Sequence, residues 1–325
     1  MHAHFSHPLS AEERRLLEGA LDPGIVLTMG PELPDPATYD TLVAGRPSRE
    51  ELAAGDAVRR LIIPWAGLPA ETRALLPDFP HLDVHNLHHN AAPVAELAVM
   101  LLLAAAKFTL RYDTALRAGD WRIRYDRPGP AVLLEGKTAL ILGYGAIGRR
   151  VARACRALGM SVLAIRRRVS APTPDEGVRI YPLAALTDLL PQAGAVIVCL
   201  PLTPETDGLL GAAELALLPS QAVLVNIGRG QIVAEDALYA ALRSGHLHAA
   251  GLDVWYSYPP DEVARAHHRP SAYPFHELDN VVMSPHRGGA ADETARLRMS
   301  ALAELLNAAA RGEPVPNRVD PEAGY

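Results

Sequence analysis

The segment Thr138 to Arg168, TALILGYGAIGRRVARACRALGMSVLAIRRR, constrains the fold of this chain more than any other stretch. An apolar run leads into Gly143, Gly145 and Gly148 at G-x-G-x-x-G spacing, an amphipathic segment follows, and a second apolar run ends in three arginines. The pattern predicts a strand, a tight turn, a helix and a parallel second strand. The first glycine permits the turn, the second leaves the backbone open to close approach, and the third lets the helix pack on the strand. The runs AVIVCLP, AVLVNIG, AAGLDVW and NVVMSP then recur at spacings that leave room for helices, which makes this block a doubly wound domain.

The first ninety or so residues show the same alternation more faintly. GIVLTMG, RRLIIPW and HLDVHNL read as strands, and LSAEERRLLEGAL reads as a helix opened by a Ser10/Glu13 capping box. VAELAVMLLLAAAKFTLRYDTALRAGDW predicts one long helix, apolar nearly all round at its start, partly buried at a domain junction or against a second subunit. ETARLRMSALAELLNAAARG predicts a helix near the C-terminus.

A chain of 325 residues, 49% hydrophobic, suits two domains. The formal charge of −6 speaks against nucleic acid as a partner. The longest strongly apolar stretch, Leu97 to Ala106, is far shorter than the ~20 residues a membrane helix needs. The N-terminus lacks the basic start and apolar stretch of a signal peptide. Cys155 and Cys199 suggest neither a disulfide framework nor a thiolate metal site, which fits a reducing cytoplasm.

A glycine turn that leaves a strand and enters a helix is a dinucleotide site, with Gly143, Tyr144, Gly145, Ala146, Ile147 and Gly148 around the pyrophosphate. About 20 residues beyond, where an NAD-specific site offers Asp or Glu to the ribose, stand Arg166, Arg167 and Arg168. Guanidinium groups there suit a 2′-phosphate, so NADP(H) is favoured and NAD(H) stays open.

NAAPVAE (Asn90 to Glu96), LPLTPETDGLL (Leu200 to Leu210), VNIGRGQIVAEDAL (Val225 to Leu238), AGLDVW (Ala250 to Trp255) and SPHRGG (Ser284 to Gly289) follow one another in an order that, with the glycine turn, closely resembles the D-isomer-specific 2-hydroxyacid dehydrogenase family. The resemblance covers essentially the whole chain. It implies a homodimeric α/β enzyme of two doubly wound domains, a Rossmann cofactor domain (residues 96–289) inserted into a flavodoxin-like substrate domain (residues 1–95 and 290–325). It implies that Arg229 binds a carboxylate and polarises a carbonyl, while His286 gives or takes the hydroxyl proton. It further implies cofactor contacts at Leu200, Pro201, Asn226, Ile227, Gly228, Asp253 and Gly288, and backbone amides of the turn Trp65, Ala66, Gly67 and Leu68 on the substrate carboxylate. These residue types suit the chemistry. Reducing a 2-oxoacid builds charge on oxygen, which calls for a fixed cation and for a proton donor that titrates near neutrality. The remaining histidines form no metal-ligand motif, so no metal is expected.

One position departs from the family pattern. Where relatives carry a Glu that hydrogen-bonds the catalytic His, this chain has Tyr258, followed by Pro259. A neutral phenol can orient an imidazole without stabilising its charged form, so a lowered His286 pKa and an acid-displaced optimum for reduction are expected. Glu262 is the other candidate for the missing acid. Two further readings stay open: formate oxidation without proton transfer, with Asn90 and Arg229 as the matching residues, and a catalytically weakened, corepressor-like protein that binds NAD(P). The stretch Pro260 to Leu278 is longer than usual for its loop and is expected either to cap the cleft, to reach a neighbouring subunit or to be a surface excursion.

Overall fold

The computed structural model describes residues 1–54, 57–125 and 131–322. The chain divides into two compact units, one formed by residues 1–90 and 290–325 and the other by residues 91–289. A cut at the expected 95/96 boundary would pass through the helix Ala91–Ala106.

In the first unit, β1 (His2–Phe5), β2 (Val26–Met29), β3 (Thr41–Val43), β4 (Arg60–Ile63) and β5 (Asp83–Asn86) form a sheet in the order β2-β1-β3-β4-β5, parallel throughout. This is the flavodoxin-like order. Alternation along the strands sends Ala3, Phe5, Val43 and Ile62 to one face and Leu42, Leu61, Ile63 and Val84 to the other. The helix Thr294–Ala310 covers the first face with Met299, Leu302, Ala303 and Leu306, an i, i+3, i+4, i+7 spacing that lines one side of a helix. Arg298 on that helix pairs with Glu13 of the helix Ala11–Glu18, where Glu13 also closes the expected capping box on Ser10.

The second unit is an eight-stranded sheet. Its members are β6 (Thr138–Leu142), β7 (Ser161–Ile165), β8 (Thr173–Asp175), β9 (Val178–Tyr181), β10 (Ala193–Val198), β11 (Val223–Asn226), β12 (Ala249–Leu252) and β13 (Val281–Met283). The order is β13-β12-β11-β10-β6-β7-β9-β8, with only the β8–β9 pair antiparallel. Both faces are covered, so successive residues enter different cores: Ala139 and Ile141 one, Leu140 and Leu142 the other. That double burial is why these strands read as continuous apolar runs.

The single long helix expected after residue 90 is two helices, Ala91–Ala106 and Thr109–Arg117, bent by 67°. The break falls at Phe108, which takes a left-handed backbone (φ 52°) and brings its ring 4.5 Å from that of His248. The first helix is apolar almost all round because it is buried inside the second unit, among residues of β6, β11 and β12 and of the helix Ala146–Ala157. At Gly251 the approach is close enough that a Cβ would lie 2.7 Å from the Cβ of Leu101. Leu101 and Leu102 are fully buried, each contributing about 1.5–3 kcal/mol. Among the described residues no single helix is long and apolar enough to cross a membrane.

Four histidines of the first unit make its stability sensitive to acid. Burial lowers the pKa of His4, His85 and His88, and burial with Arg298 and His88 lowers that of His89 to about 4. The folded unit holds these rings neutral, whereas the unfolded chain protonates them near 6.5. The stability they contribute is therefore complete above that pH and is lost as pH falls below it, for His89 down to about 4. His89 alone should account for about 2 kcal/mol between pH 7 and pH 5, a Tm drop of roughly 5 °C. Differential scanning calorimetry should show that drop, and His89→Asn should flatten it.

Candidate active site

The glycine turn leaves β6 as expected. Gly143 has φ +101°, and a Cβ there would lie 2.9 Å from the carbonyl of Cys199. A Cβ at Gly148 would sit 2.0 Å from the Gly143 oxygen, so the third glycine closes helix onto turn. Gly145 is the N-cap of the helix Ala146–Ala157 and has open space where its Cβ would be. No side chain caps this helix, which leaves its first-turn amides and the positive end of its dipole available to an anion. The turn thus fits a dinucleotide pyrophosphate. The side chain of Tyr144 is 2% exposed under Arg149 and that of Ile147 packs on the core, so these two can serve a ligand only through their backbone. Arg166, Arg167 and Arg168 leave the end of β7 exposed to solvent.

The loop after β11 seats Arg229. Asn226, 1% exposed, donates from Nδ2 to the Arg229 carbonyl (2.9 Å) and accepts the Gly228 amide at Oδ1 (3.1 Å). A Cβ at Gly228 would lie 2.5 Å from the Leu200 oxygen, and one at Gly230 would lie 2.4 Å from the Trp255 oxygen. The two glycines therefore press the loop between the segments that follow β10 and β12. Arg229 itself is exposed, donates to the Gly228 carbonyl at 2.6 Å, and has no acidic partner among the described residues. Most of its donors remain available to a ligand.

The register of β12 on β13 pairs Leu252 with Met283, which sets Asp253 beside Ser284. Asp253, 2% exposed, accepts from Ser284 Oγ (2.5 Å) and the Arg287 amide (2.8 Å) at Oδ1, and from the Gly288 amide (2.9 Å) at Oδ2. This carboxylate clamps the SPHRGG loop around His286, whose φ is +57°. Gly288 is required for the fit, since a Cβ there would lie 2.9 Å from Asp253 Oδ2.

His286 Nδ1 lies 2.9 Å from Tyr258 Oη, which also accepts the Trp255 amide at 3.1 Å. Glu262 is paired with Arg265 instead. Burial and then Arg229 lower the His286 pKa, with Asp253 opposing, so the direction is the one expected of an imidazole without a carboxylate partner. Part of the long loop folds back onto this unit: Pro270 accepts the amides of Tyr256 and Ser257, and Phe275 is buried beside Trp255 and Tyr239.

The first unit carries the remaining candidates. Trp65 stacks against Gly45, where a Cβ would collide with the indole at 1.8 Å, and lies under Arg46. Asn86 Nδ2 holds the Ala66 carbonyl at 2.6 Å, and the Leu87 amide holds that of Trp65. The amides of Ala66, Gly67 and Leu68 donate to nothing among the described residues. Asn90 has a buried Oδ1 without a partner.

Residues 99–288 match the family described as D-isomer specific 2-hydroxyacid dehydrogenase, NAD binding domain. The chain belongs to the D-isomer-specific 2-hydroxyacid dehydrogenase family. It is 40% identical over 233 residues to a glyoxylate reductase of Aeropyrum pernix, spanning 70% of this chain and 66% of that protein. It is 32% identical over 229 residues to a D-3-phosphoglycerate dehydrogenase of Methanocaldococcus jannaschii, spanning 70% of this chain and only 41% of that protein. The chain thus matches less than two thirds of the length of either relative. A crystal structure of a family member from Xanthobacter autotrophicus Py2, in complex with NADPH and MES, superposes with a TM-score of 0.80 at 30% identity, covering 99% of both chains.

Within this dehydrogenase fold, the sequence reading missed Ser284, the Trp255 amide and Gly230. The available signal was the placement of Asp and Ser at the ends of two successive strands. Replacing Asp253 by Asn should turn an amide N–H toward one of its present donors, at a cost of about 1.5–3 kcal/mol for each charge-assisted bond lost. Hydrogen exchange should then quicken at the amides of Arg287 and Gly288 while β6 and β10 keep their protection.

Proposed function

We propose that this chain reduces a small 2-oxoacid to the D-2-hydroxyacid, and runs the reverse reaction, with NADP(H) favoured over NAD(H). The observation that carries the reading is the pairing of a guanidinium with no acidic partner among the described residues, Arg229, with an imidazole tied through Nδ1 to Tyr258, both at the carboxyl edge of the sheet that bears the glycine turn. Ligands of open α/β sheets bind at that edge.

A bound reduced nicotinamide supplies the hydride. Arg229 would hold the substrate carboxylate and draw charge onto the carbonyl oxygen, and with no acidic partner among the described residues it keeps most of its donors for both. Nε2 of His286, without a partner among the described residues, would exchange the proton with that oxygen. Within the first unit by itself, the unclaimed amides of Ala66, Gly67 and Leu68 suit an anion, and Asn90 keeps a buried oxygen without a partner. The relatives named as glyoxylate reductases support a small 2-oxoacid such as glyoxylate or hydroxypyruvate. The three exposed arginines after β7 support a 2′-phosphate, as does the NADPH held by the Xanthobacter relative. The Tyr258–His286 bond favours a reaction with proton transfer over formate oxidation. Free thiols at Cys155 and Cys199 suit a reducing cytoplasm.

The reading is tested by cofactor consumption with glyoxylate, hydroxypyruvate, pyruvate and phenylpyruvate, each with NADH and NADPH. Turnover of at least one acid is expected, lowered about 10²–10³-fold in kcat/KM by Arg229→Ala. Replacing Arg166, Arg167 and Arg168 together by Ala should raise KM for NADPH by roughly 10–100-fold and leave that for NADH little changed. Turnover of no 2-oxoacid overturns the reading.

The proposal extends to a homodimer. Leu110, Leu116, Trp121, Tyr125 and Leu133 are exposed on the second unit, with Trp121 at 59% and Tyr125 at 74%. Large apolar groups gathered on one stretch of chain suit a second copy. Light scattering should give twice the 34.9 kDa chain mass, and Leu116→Glu with Trp121→Glu should return it to the monomer value.

A further inference from the structure

In a family where a carboxylate backs the histidine, the imidazole carries its own proton as imidazolium. The geometry around Tyr258 points to a different proton source. The Trp255 amide donates to Tyr258 Oη at 3.1 Å, which takes up one acceptor position of that oxygen. Among the described residues, His286 Nδ1 at 2.9 Å is the only acceptor within reach of the hydroxyl proton. The arrangement that satisfies all three groups has the amide donating to Oη and Oη donating to Nδ1. His286 is then neutral, with its proton on Nε2, the nitrogen left open for substrate.

Resting on the 2-oxoacid reading, we propose that Tyr258 is the proton source for reduction and that His286 relays its proton as a neutral imidazole. As the carbonyl carbon accepts the hydride, the π-electron pair of the C=O bond moves onto oxygen. That oxygen takes the Nε2 proton, and in the same step Nδ1 takes the proton of Tyr258 Oη. The alcohol is complete, the imidazole stays neutral as its other tautomer, and the negative charge ends on the phenolate, balancing the positive charge gained by the nicotinamide. After product leaves, a solvent proton at Nε2 and return of the Nδ1 proton to Oη restore the starting state.

The surroundings favour this over an imidazolium. The charged and titratable groups that face the ring within the second unit are Arg229, Asp253 and Tyr258. Burial, followed by Arg229, disfavours a cationic ring, and Asp253 opposes them. That carboxylate is already spent on Ser284 and two amides. Burial raises the Tyr258 phenol and Asp253 adds to it, whereas the Trp255 amide and Arg229 act in the opposite sense and would steady a transient phenolate. Tyr258 is 45% exposed, which gives solvent access for the resetting step.

The relay makes two independent observables. In protein labelled with ¹⁵N-histidine and without cofactor, Nε2 of His286 should be protonated and Nδ1 bare at neutral pH, and Tyr258→Phe should abolish that preference. In kinetics with whichever 2-oxoacid the wild type turns over, log(kcat/KM) for reduction should stay level between the His286 titration, which lies below the usual imidazole range, and about pH 9, because neither relay group changes charge in that window. Tyr258→Phe must protonate the ring itself, so its rate should fall about tenfold per pH unit above the His286 titration. The acid displacement expected for a lowered imidazole thus belongs to the variant. Tyr258→Glu, which restores a carboxylate, should move that fall to higher pH. The proton inventory in mixed H₂O and D₂O should be curved for wild type and linear for Tyr258→Phe. Superimposable profiles for wild type and Tyr258→Phe, or a proton found on Nδ1 of the wild type, would overturn the relay while measured turnover leaves the 2-oxoacid reading standing. Absence of turnover with every 2-oxoacid would remove both.

Discussion

The buried carboxylate of Asp253 is the constraint on which the rest of the site depends. It ends one strand, reaches across to the end of the next, and satisfies a hydroxyl and two amides that would otherwise be orphaned in the loop carrying His286. A residue other than glycine at φ +57° is uncommon, and it persists where surrounding bonds over-determine it. Here three bonds from one anion do so. The charge is tolerable at 2% exposure because it meets three donors, a hydroxyl and two amides, all from the loop after β13.

Arg229 is placed by the opposite device, the removal of side chains. Gly228 and Gly230 let the loop touch the backbones at Leu200 and Trp255, distances that no Cβ would permit. The Trp255 carbonyl packs on Gly230 while its amide anchors Tyr258, so one residue fixes the approach of the arginine loop and the partner of His286. Guanidinium, imidazole and phenol then share one sheet edge; among the described residues the carboxylate that acts on the imidazole and the phenol is Asp253, and it is occupied. Such surroundings keep the imidazole neutral and leave the cation free for an anionic ligand.

Much of this was readable before any coordinates. The alternation of apolar runs with amphipathic segments gave the two parallel sheets, and the glycine spacing located the turn after β6. Ser10 and Glu13 announced a helix start that forms as a capping box. What escaped notice has physical reasons. β1 is HAHF, whose histidines at alternate positions look solvent-facing, yet His4 is 1% exposed and bonded to Thr28. β3 and β8 are three residues each, too short for a period to register. The break at Phe108 was invisible because helical periodicity continues on both sides of it, and the ring's contact with His248, 140 residues later, that accompanies the left-handed turn is not a local property of the chain. The helix before it was expected at a junction because it is apolar all round, and the same property follows from burial inside one unit.

The sequence by itself determined the family, the fold class and the residue types at the site, because strand period, glycine spacing and the order of short motifs are local properties of the chain. It also showed that position 258 is not a carboxylate. Tertiary structure alone decided what that substitution does. Whether Tyr258 or Glu262 meets His286 depends on where a long loop folds back, and whether Asp253 is a free ligand or a clamp depends on the register of two strands. Hydrogen bonds and the charge states they set act over about 3 Å, and only the packed chain brings Tyr258 within that distance of His286, and Asp253 within it of Ser284, Arg287 and Gly288.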